Sequence, residues 1–414
     1  MDNTSQKKFS LSKLLGINTY WLGLSFMWNS LHPIVLPAIL LHLVPVTSKN
    51  SYLGGLTFLG MLLAMVVQPI SGAASDHWRS RWGKRRPLAL LGTLFDFVFL
   101  GLLAWSKNIW VLLWGYIGLQ ITSNTAQGPL QALIPDRIPR NQMGRASGVK
   151  NLMDVGGVII ASVAAGRLLS PDDRYPTTIM LVVMGVLAVS AAITFVTADE
   201  APSLETEEHS RFNIREAFRL DMQLNRNYAW LIASRFVFLM GIYGVQAFAQ
   251  YYIQDVMQAP NPVKATGDLM AALAIMLVIC ALLGGWLADH HGARRVIVLA
   301  SLISAVGCLL LPNAHDLTSL VLYAGVLGAG IGLYLTSNWA LASRLAPKAQ
   351  AGKFLGLTNL ATAGASAFSR LLGFPVDWLN NARPGAFMGY SGLFLLGGLG
   401  ALLSLILLAR VKEE

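Results

Sequence analysis

The chain has 414 residues, 54% of them hydrophobic and only 13% charged, with a formal net charge of +10. A soluble domain carries about 25% charged residues, so this composition excludes an ordinary water-soluble fold and a disordered chain, and it makes the basic excess too dilute for a nucleic-acid binder. Long apolar runs with sparse charge are what a bilayer requires of its solutes.

The tail is polar and basic to Lys13, and the apolar segment after it is far longer than a signal-peptide core, so it reads as a retained first span. Runs of about 20 apolar residues, the length that crosses a bilayer, then follow at 14–43, 52–74, 87–106, 109–133, 144–168 and 176–197. After a polar connector over 198–227, six more lie at 228–257, 268–288, 295–311, 317–343, 352–374 and 386–409. The expected fold is an all-α integral membrane protein of twelve transmembrane helices in two pseudo-symmetric six-helix bundles, 1–197 and 228–414. With both termini inside, 23 Lys and Arg fall on inner segments and 6 on outer ones. That asymmetry is the positive-inside signal, and it accounts for the net charge with anionic headgroups as neighbours.

Ionisable side chains inside spans are costly and mark function by default. In span 1, Trp28, Asn29 and His32 precede Pro33 and Pro37, whose missing N–H groups free carbonyls that could coordinate a ligand. Span 3 holds Asp96, either a structural hydrogen-bond partner or a proton carrier. Span 4 carries Gln120, Asn124, Gln127 and Gln131 on one helical face. In span 5, Asp154 lies roughly 15 Å deep, one turn from Lys150; it reads as a proton carrier or as half of a structural ion pair. His32 is a third proton-site candidate.

Span 7 offers Arg235, Tyr243, Gln246 and Gln250, and span 10 offers Tyr334, Asn338 and Trp339. Amides and phenols pair with sugar hydroxyls without bringing charge into the membrane, and Trp28 and Trp339 could offer flat faces to a pyranose or serve only in core packing. The candidate binding set is therefore Trp28, Asn29, Asn124, Gln127, Arg235, Tyr243, Gln246, Asn338 and Trp339. Interhelical hydrogen bonding is the other role open to these polar residues. Arg235 could bind a hydroxyl, neutralise a carboxylate or snorkel.

The halves repeat. Thr122-Ser123-Asn124 recurs as Thr336-Ser337-Asn338, and Gly144-Arg145-x-x-Gly148-x-x-Asn151-Leu152 as Gly352-Lys353-x-x-Gly356-x-x-Asn359-Leu360. Gly72-x-x-x-Asp76 recurs as Gly285-x-x-x-Asp289, each followed by a glycine and a basic cluster. Matches in the same order in both halves point to transporter architecture.

The Gly-x-x-x-Asp loop with its basic cluster, once per half, resembles the loop 2/3 motif of the major facilitator superfamily. Ser75-Asp76-x4-Arg81-Trp82-Gly83-Lys84-Arg85-Arg86-Pro87 is similar to sucrose transporters within the glycoside-pentoside-hexuronide:cation symporter group, as is Gln127-Gly128-Pro129-x-x-Ala132-Leu133-Ile134-x-Asp136. The superfamily resemblance covers the whole chain; the sucrose-transporter resemblance covers about residues 68 to 160. It implies secondary active transport by alternating access, proton-coupled symport of a sugar above all, in the cell membrane with both termini cytoplasmic. It also implies a cytoplasmic gate of Gly72, Asp76, Gly83, Arg85, Arg86, Asp136 and Arg145, with Asp289, Arg294 and Arg295 in the second half.

Sodium-coupled members of that group use carboxylates on span 2, where this chain has only Gln68, so the proton is the expected coupling ion. A facilitator-type exporter of an amphipathic compound and a non-transporting scaffold are the alternatives. Cys280 and Cys308 sit in apolar runs, so no disulfide or Cys-based metal site is expected, and the absence of HExxH, GxSxG and P-loop strings argues against an enzyme or a bound cofactor. The expected partners are a small substrate and the bilayer, with the chain functional as a monomer.

Overall fold

A computed structural model describes residues 9–139, 142–198, 200, 225–347 and 351–411. Most of the expected 198–227 connector thus lies outside the described residues. Among those described, the regular structure is all helical.

Span 1 consists of α1 (Leu11–Ser30), a π-helical turn over Leu31–Val35 and α2 (Leu36–Leu41). Spans 2 to 6 are α3 (Lys49–Asp76), α4 (Arg86–Ala104), α5 (Ile109–Arg137), α6 (Met143–Leu168) and α7 (Thr177–Thr197). Span 7 is broken at Phe248 into α8 (Arg226–Ala247) and α9 (Ala249–Asp255). Spans 8 to 10 are α10 (Pro262–His291), α11 (Ala293–Leu310) and α12 (Leu317–Leu345). Span 11 continues from α13 (Ala351–Arg370) through a tight turn into α14 (Gly373–Ala382), longer than its apolar run, and α15 (Met388–Leu408) completes the set.

Ten of the described spans are long and apolar enough to cross a membrane by length and composition. The other two of the expected twelve, α5 and α13, are continuous helices whose polar stripes dilute their hydropathy. These stripes carry Gln120, Asn124 and Gln127 in α5, and Thr358, Thr362 and Ser366 in α13.

The helix ends follow local rules. Pro87 stands in the first turn of α4, where its missing N–H costs nothing. Asn261 caps α10 through the Lys264 N–H at 2.9 Å, and Asp316 and Ser319 form a capping box on α12. Gly83 and Gly292, the glycines of the two repeated loops, both take positive φ, 94° and 88°. The sequence repeat is therefore also a repeat of backbone conformation that side chains disfavour.

The described chain forms two compact units. Unit 1 comprises residues up to Leu31, Leu62–Ala164 and Asp173–Phe212; unit 2 comprises His32–Met61, Ala165–Asp172 and everything from Asn213. Internal packing repeats between them. In unit 1, α1 packs on α7 and α4 on α5; in unit 2 the equivalent pairs are α8 with α15 and α11 with α12. Gly157 of α6 approaches the backbone of α1 so closely that an added Cβ would stand 2.6 Å from the Leu22 carbonyl, and the equivalent α13 packs on α8.

Candidate functional site

At one end of unit 1 the loop after α3 gathers four helices around Arg85, which is 4% exposed. Its Nε donates to Asp136 Oδ2 at 2.9 Å, and Nη1 donates to Ser75 Oγ at 2.5 Å and to the Gly72 carbonyl at 3.3 Å. Nη2 lies 2.5 Å from Asp76 and 2.9 Å from Asp136, with Lys84 adding a contact to Asp136 at 3.5 Å. Glu200, beyond α7, accepts the backbone N–H groups of Arg85 and Arg86 at 3.1 Å each. This carboxylate sits at the N-terminal end of α4, where the helix dipole favours negative charge. Arg86 donates to the Phe195 carbonyl near the end of α7. Gly83 completes the turn, because a Cβ there would strike Glu200.

The structure thus brings Gly72, Asp76, Gly83, Arg85, Arg86 and Asp136 together, all within unit 1. Arg145 is exposed. In unit 2 the counterpart is looser: Asp289 pairs with Arg344 at 3.5 Å, both largely exposed, Arg294 donates to the Ala409 carbonyl at 3.3 Å, and Arg295 is exposed.

Within the membrane-spanning part of unit 1, Asp96 is fully buried between α4 and α5 and accepts from Thr122 Oγ1 at 2.5 Å, while its Oδ2 has no hydrogen bond. Asp154 is half-buried and paired with Lys150 one turn earlier at 2.7 Å, and the Lys150 ammonium stands 4.0 Å from the Trp21 ring centroid. The α5 stripe is a chain of hydrogen bonds: Gln120 donates to Tyr116 OH at 2.7 Å, Asn124 to Gln120 Oε1 at 3.2 Å and Gln127 to Ser123 at 3.3 Å. Trp28 meets Tyr116 edge to face at 6.4 Å. Asn29 spends its amide on the Ser25 carbonyl of its own helix.

In unit 2, Arg235 is 5% exposed. Its Nε donates to Thr362 at 2.9 Å and its Nη1 to Asn338 Oδ1 at 2.7 Å, while Asn338 contacts Tyr334 OH at 3.4 Å. Tyr334 stacks on Phe238 with centroids 3.6 Å apart. Tyr243 lies within electrostatic reach of both Arg235 and Arg370. Tyr243 and Gln246 are half-buried, and Trp339 is 39% exposed. His32, in the π-turn, is half-buried and near Arg370.

The carbonyls expected to be free for a ligand around Pro33 and Pro37 are taken. With its amide nitrogen oriented toward them, Gln250 donates to the carbonyls of Pro33 at 2.9 Å and Ile34 at 3.0 Å, and Tyr251 OH donates to that of Pro37 at 3.1 Å. A buried carbonyl without water needs a protein donor, and span 7 supplies three.

A second network in unit 2 was not anticipated. Lys49, 1% exposed, pairs with Asp255 at 2.6 Å and stands over the Tyr251 ring; Tyr390 OH donates to the other Asp255 oxygen at 2.7 Å. Asn50 and the Ser51 N–H hold Asp377 at 2.8 and 2.6 Å. Lys49 and Asp255 look like loop charges in sequence, because each stands at a helix terminus; only tertiary packing makes them partners. Thr362, and the partners of Glu200 and of Thr122 in its repeated motif, also escaped sequence reasoning, since a hydroxyl or loop acid does not announce what it will meet.

The multi-drug resistance efflux pump PmrA of Streptococcus pneumoniae is 24% identical over 72% of this chain and 72% of its own. Sugar efflux transporter A of Dickeya chrysanthemi is 25% identical over 76% and 78%. Sucrose transport protein SUT1 of Oryza sativa subsp. japonica is 30% identical, but over only 22% of this chain and 21% of its own. The solved nucleoside transporter NupG superimposes with a TM-score of 0.73 at 14% identity, over 98% of this chain and 100% of that one, which establishes the shared fold. The Major Facilitator Superfamily family model matches residues 14–369 and 261–414. With repeated loops, repeated packing and family match in agreement, the chain belongs to the major facilitator superfamily: it is a multi-pass membrane transporter of small molecules and not an enzyme.

Proposed function

We propose that the protein is a proton-coupled symporter of a sugar or glycoside, working in the cell membrane as a monomer with both termini cytoplasmic. The observation that carries the sugar reading is the pair of amide, hydroxyl and aromatic clusters, Trp28–Tyr116–Gln120–Asn124–Gln127 in unit 1 and Tyr334–Asn338–Arg235–Thr362 in unit 2. These clusters are dense in neutral donors and acceptors of the kind that match sugar hydroxyls. Two of the named relatives handle sugars, and the sucrose-transporter-like string of the loop after α3 favours the same class.

Asp154 is the proposed proton carrier. It is only partly buried and is balanced by a single cation, Lys150, so protonation would release that lysine. Asp96, by contrast, is sealed between two helices and cannot exchange a proton unless they part. His32 is the remaining candidate, and the gate residues around Arg85 are proposed to mark the cytoplasmic end.

Uptake of labelled sucrose, maltose and glucose into proteoliposomes, with and without an inward proton gradient, tests this. Asp154→Asn is expected to abolish gradient-driven accumulation while leaving sugar counterflow, and Asp96→Asn to leave the coupling intact. Accumulation that survives in Asp154→Asn removes it from the role. A second reading, export of an amphipathic compound, is favoured by the length over which the two efflux relatives match; gradient-driven efflux of a dye with no sugar uptake would select it.

A further inference from the structure

Arg235 is a buried cation in a bilayer-embedded bundle with only neutral partners. Two groups hold it, the Thr362 hydroxyl and the Asn338 carbonyl oxygen. Its Nη2 donates to no described group and yet is not sealed off. A guanidinium kept inside a membrane is expensive, and such charges pair with one another or line a substrate path.

The described carboxylates of unit 2 are committed elsewhere or lie in loops. Asp255 serves Lys49 and Tyr390, Asp377 serves Asn50 and Ser51, Asp268 pairs with Arg167, Asp289 with Arg344, and Asp316 caps α12. Arg370 adds a second positive charge within reach of Tyr243 on the same unit. Neutral hydroxyls are served equally well by amides, as in unit 1, so a sugar without charge gives no reason to retain an arginine here.

We propose that Arg235 reads an anionic group: the substrate carries a carboxylate, which docks on the guanidinium through Nη2, with Tyr243 within electrostatic reach of the same cation. The planar fork matches a carboxylate in a way that lysine does not. Thr362 and Asn338 hold Nε and Nη1, so the fork is oriented before the substrate arrives. The inference rests on the sugar-transport reading for its scaffold, a uronide or sugar acid, and the test separates the two.

Equilibrium binding to the purified full-length chain would compare two matched pairs, each differing only in the acid: methyl β-glucuronide against methyl β-glucoside, and 4-hydroxybenzoate against 4-hydroxybenzyl alcohol. The acid of at least one pair is expected to bind about 10- to 100-fold more tightly, the range of a charge-assisted hydrogen bond. Arg235→Gln is expected to bring that ratio near one, and Arg235→Lys to keep part of it; size-exclusion profiles confirm folding of each variant. Preference confined to the aromatic pair keeps the inference and overturns the sugar scaffold. Glucoside bound as well as glucuronide, with no acid preference in the aromatic pair either, keeps the sugar reading and overturns the inference; a preference that survives in Arg235→Gln, or a folded wild-type chain that binds neither acid, also overturns it.

Discussion

Every nitrogen of the Arg85 guanidinium has an oxygen partner, and the oxygens come from the ends of α3 and α5. Lysine in its place keeps the charge but can meet only a fraction of these groups from a single nitrogen. Arg85→Lys is expected to cost about 2–4 kcal/mol, one or two lost charge-assisted hydrogen bonds, seen as a lower melting temperature of the purified chain in detergent. The acids Asp76 and Asp136 are legible in sequence, because a spacing motif and a family-like string hold them. Glu200 is not, because it sits beyond another helix and its role depends on the fold of α7. Composition likewise cannot separate the buried Arg85 from the exposed Arg145 and Arg295, since all three are basic residues at helix ends.

At the level of the helix, α1 and α8 stop at nearly the same depth, after 20 and 22 residues, so the first span of each half is interrupted at a corresponding place. Corresponding breaks of this kind are the signature of a binding region in transporters built from repeats. The break in span 1 is written in two prolines; that in span 7 has no proline near Phe248 and arises only from packing. The fate of the freed carbonyls was equally hidden, because their donors, Gln250 and Tyr251, lie more than two hundred residues away in sequence. The start of α12 is more transparent. Hydrogen bonds from the Ser319 hydroxyl and N–H hold the Asp316 carboxyl below its ordinary pKa. A carboxyl depressed in the fold stabilises it above the unfolded value, near about 4, and the benefit disappears as pH falls through the folded value. Asp316→Ala is therefore expected to melt below the wild type from pH 5 to 8, with the gap closing in more acidic buffer.

Over the whole molecule, the repeat legible in short motifs is also a repeat of contacts inside each unit. Order of motifs carries it, which is why fold class was accessible without any structure. Membership of the units was not, since residues 32–61 and 165–172 leave their helical neighbours to pack with the C-terminal spans. Glycines permit that packing. A Cβ on Gly54 would strike the Arg370 carbonyl, one on Gly373 would strike the Asn50 carbonyl, and one on Gly166 would come within 3.1 Å of the Gly267 Cα. Gly373→Val is expected to force Asn50 away, and a cysteine placed at the buried Leu53, in a chain with Cys280 and Cys308 changed to serine, should then react with a water-soluble maleimide. Unchanged protection of that cysteine would show that the approach is dispensable.

Three helices, α3, α6 and the α1–α2 span, each pass from one unit into the other, and this bears on what a severed chain can do. A cut in the connector after Ala198 would leave Lys49 and Asn50 on one fragment and Asp255, Asp377 and Tyr390 on the other. The C-terminal fragment then lacks residues 32–61 and 165–172 of its own unit. Co-expressed halves would find each other through a ready-made socket, whereas in the C-terminal half alone Asp377 would lose Asn50 and Ser51, and Asp255 would lose Lys49 and keep only Tyr390.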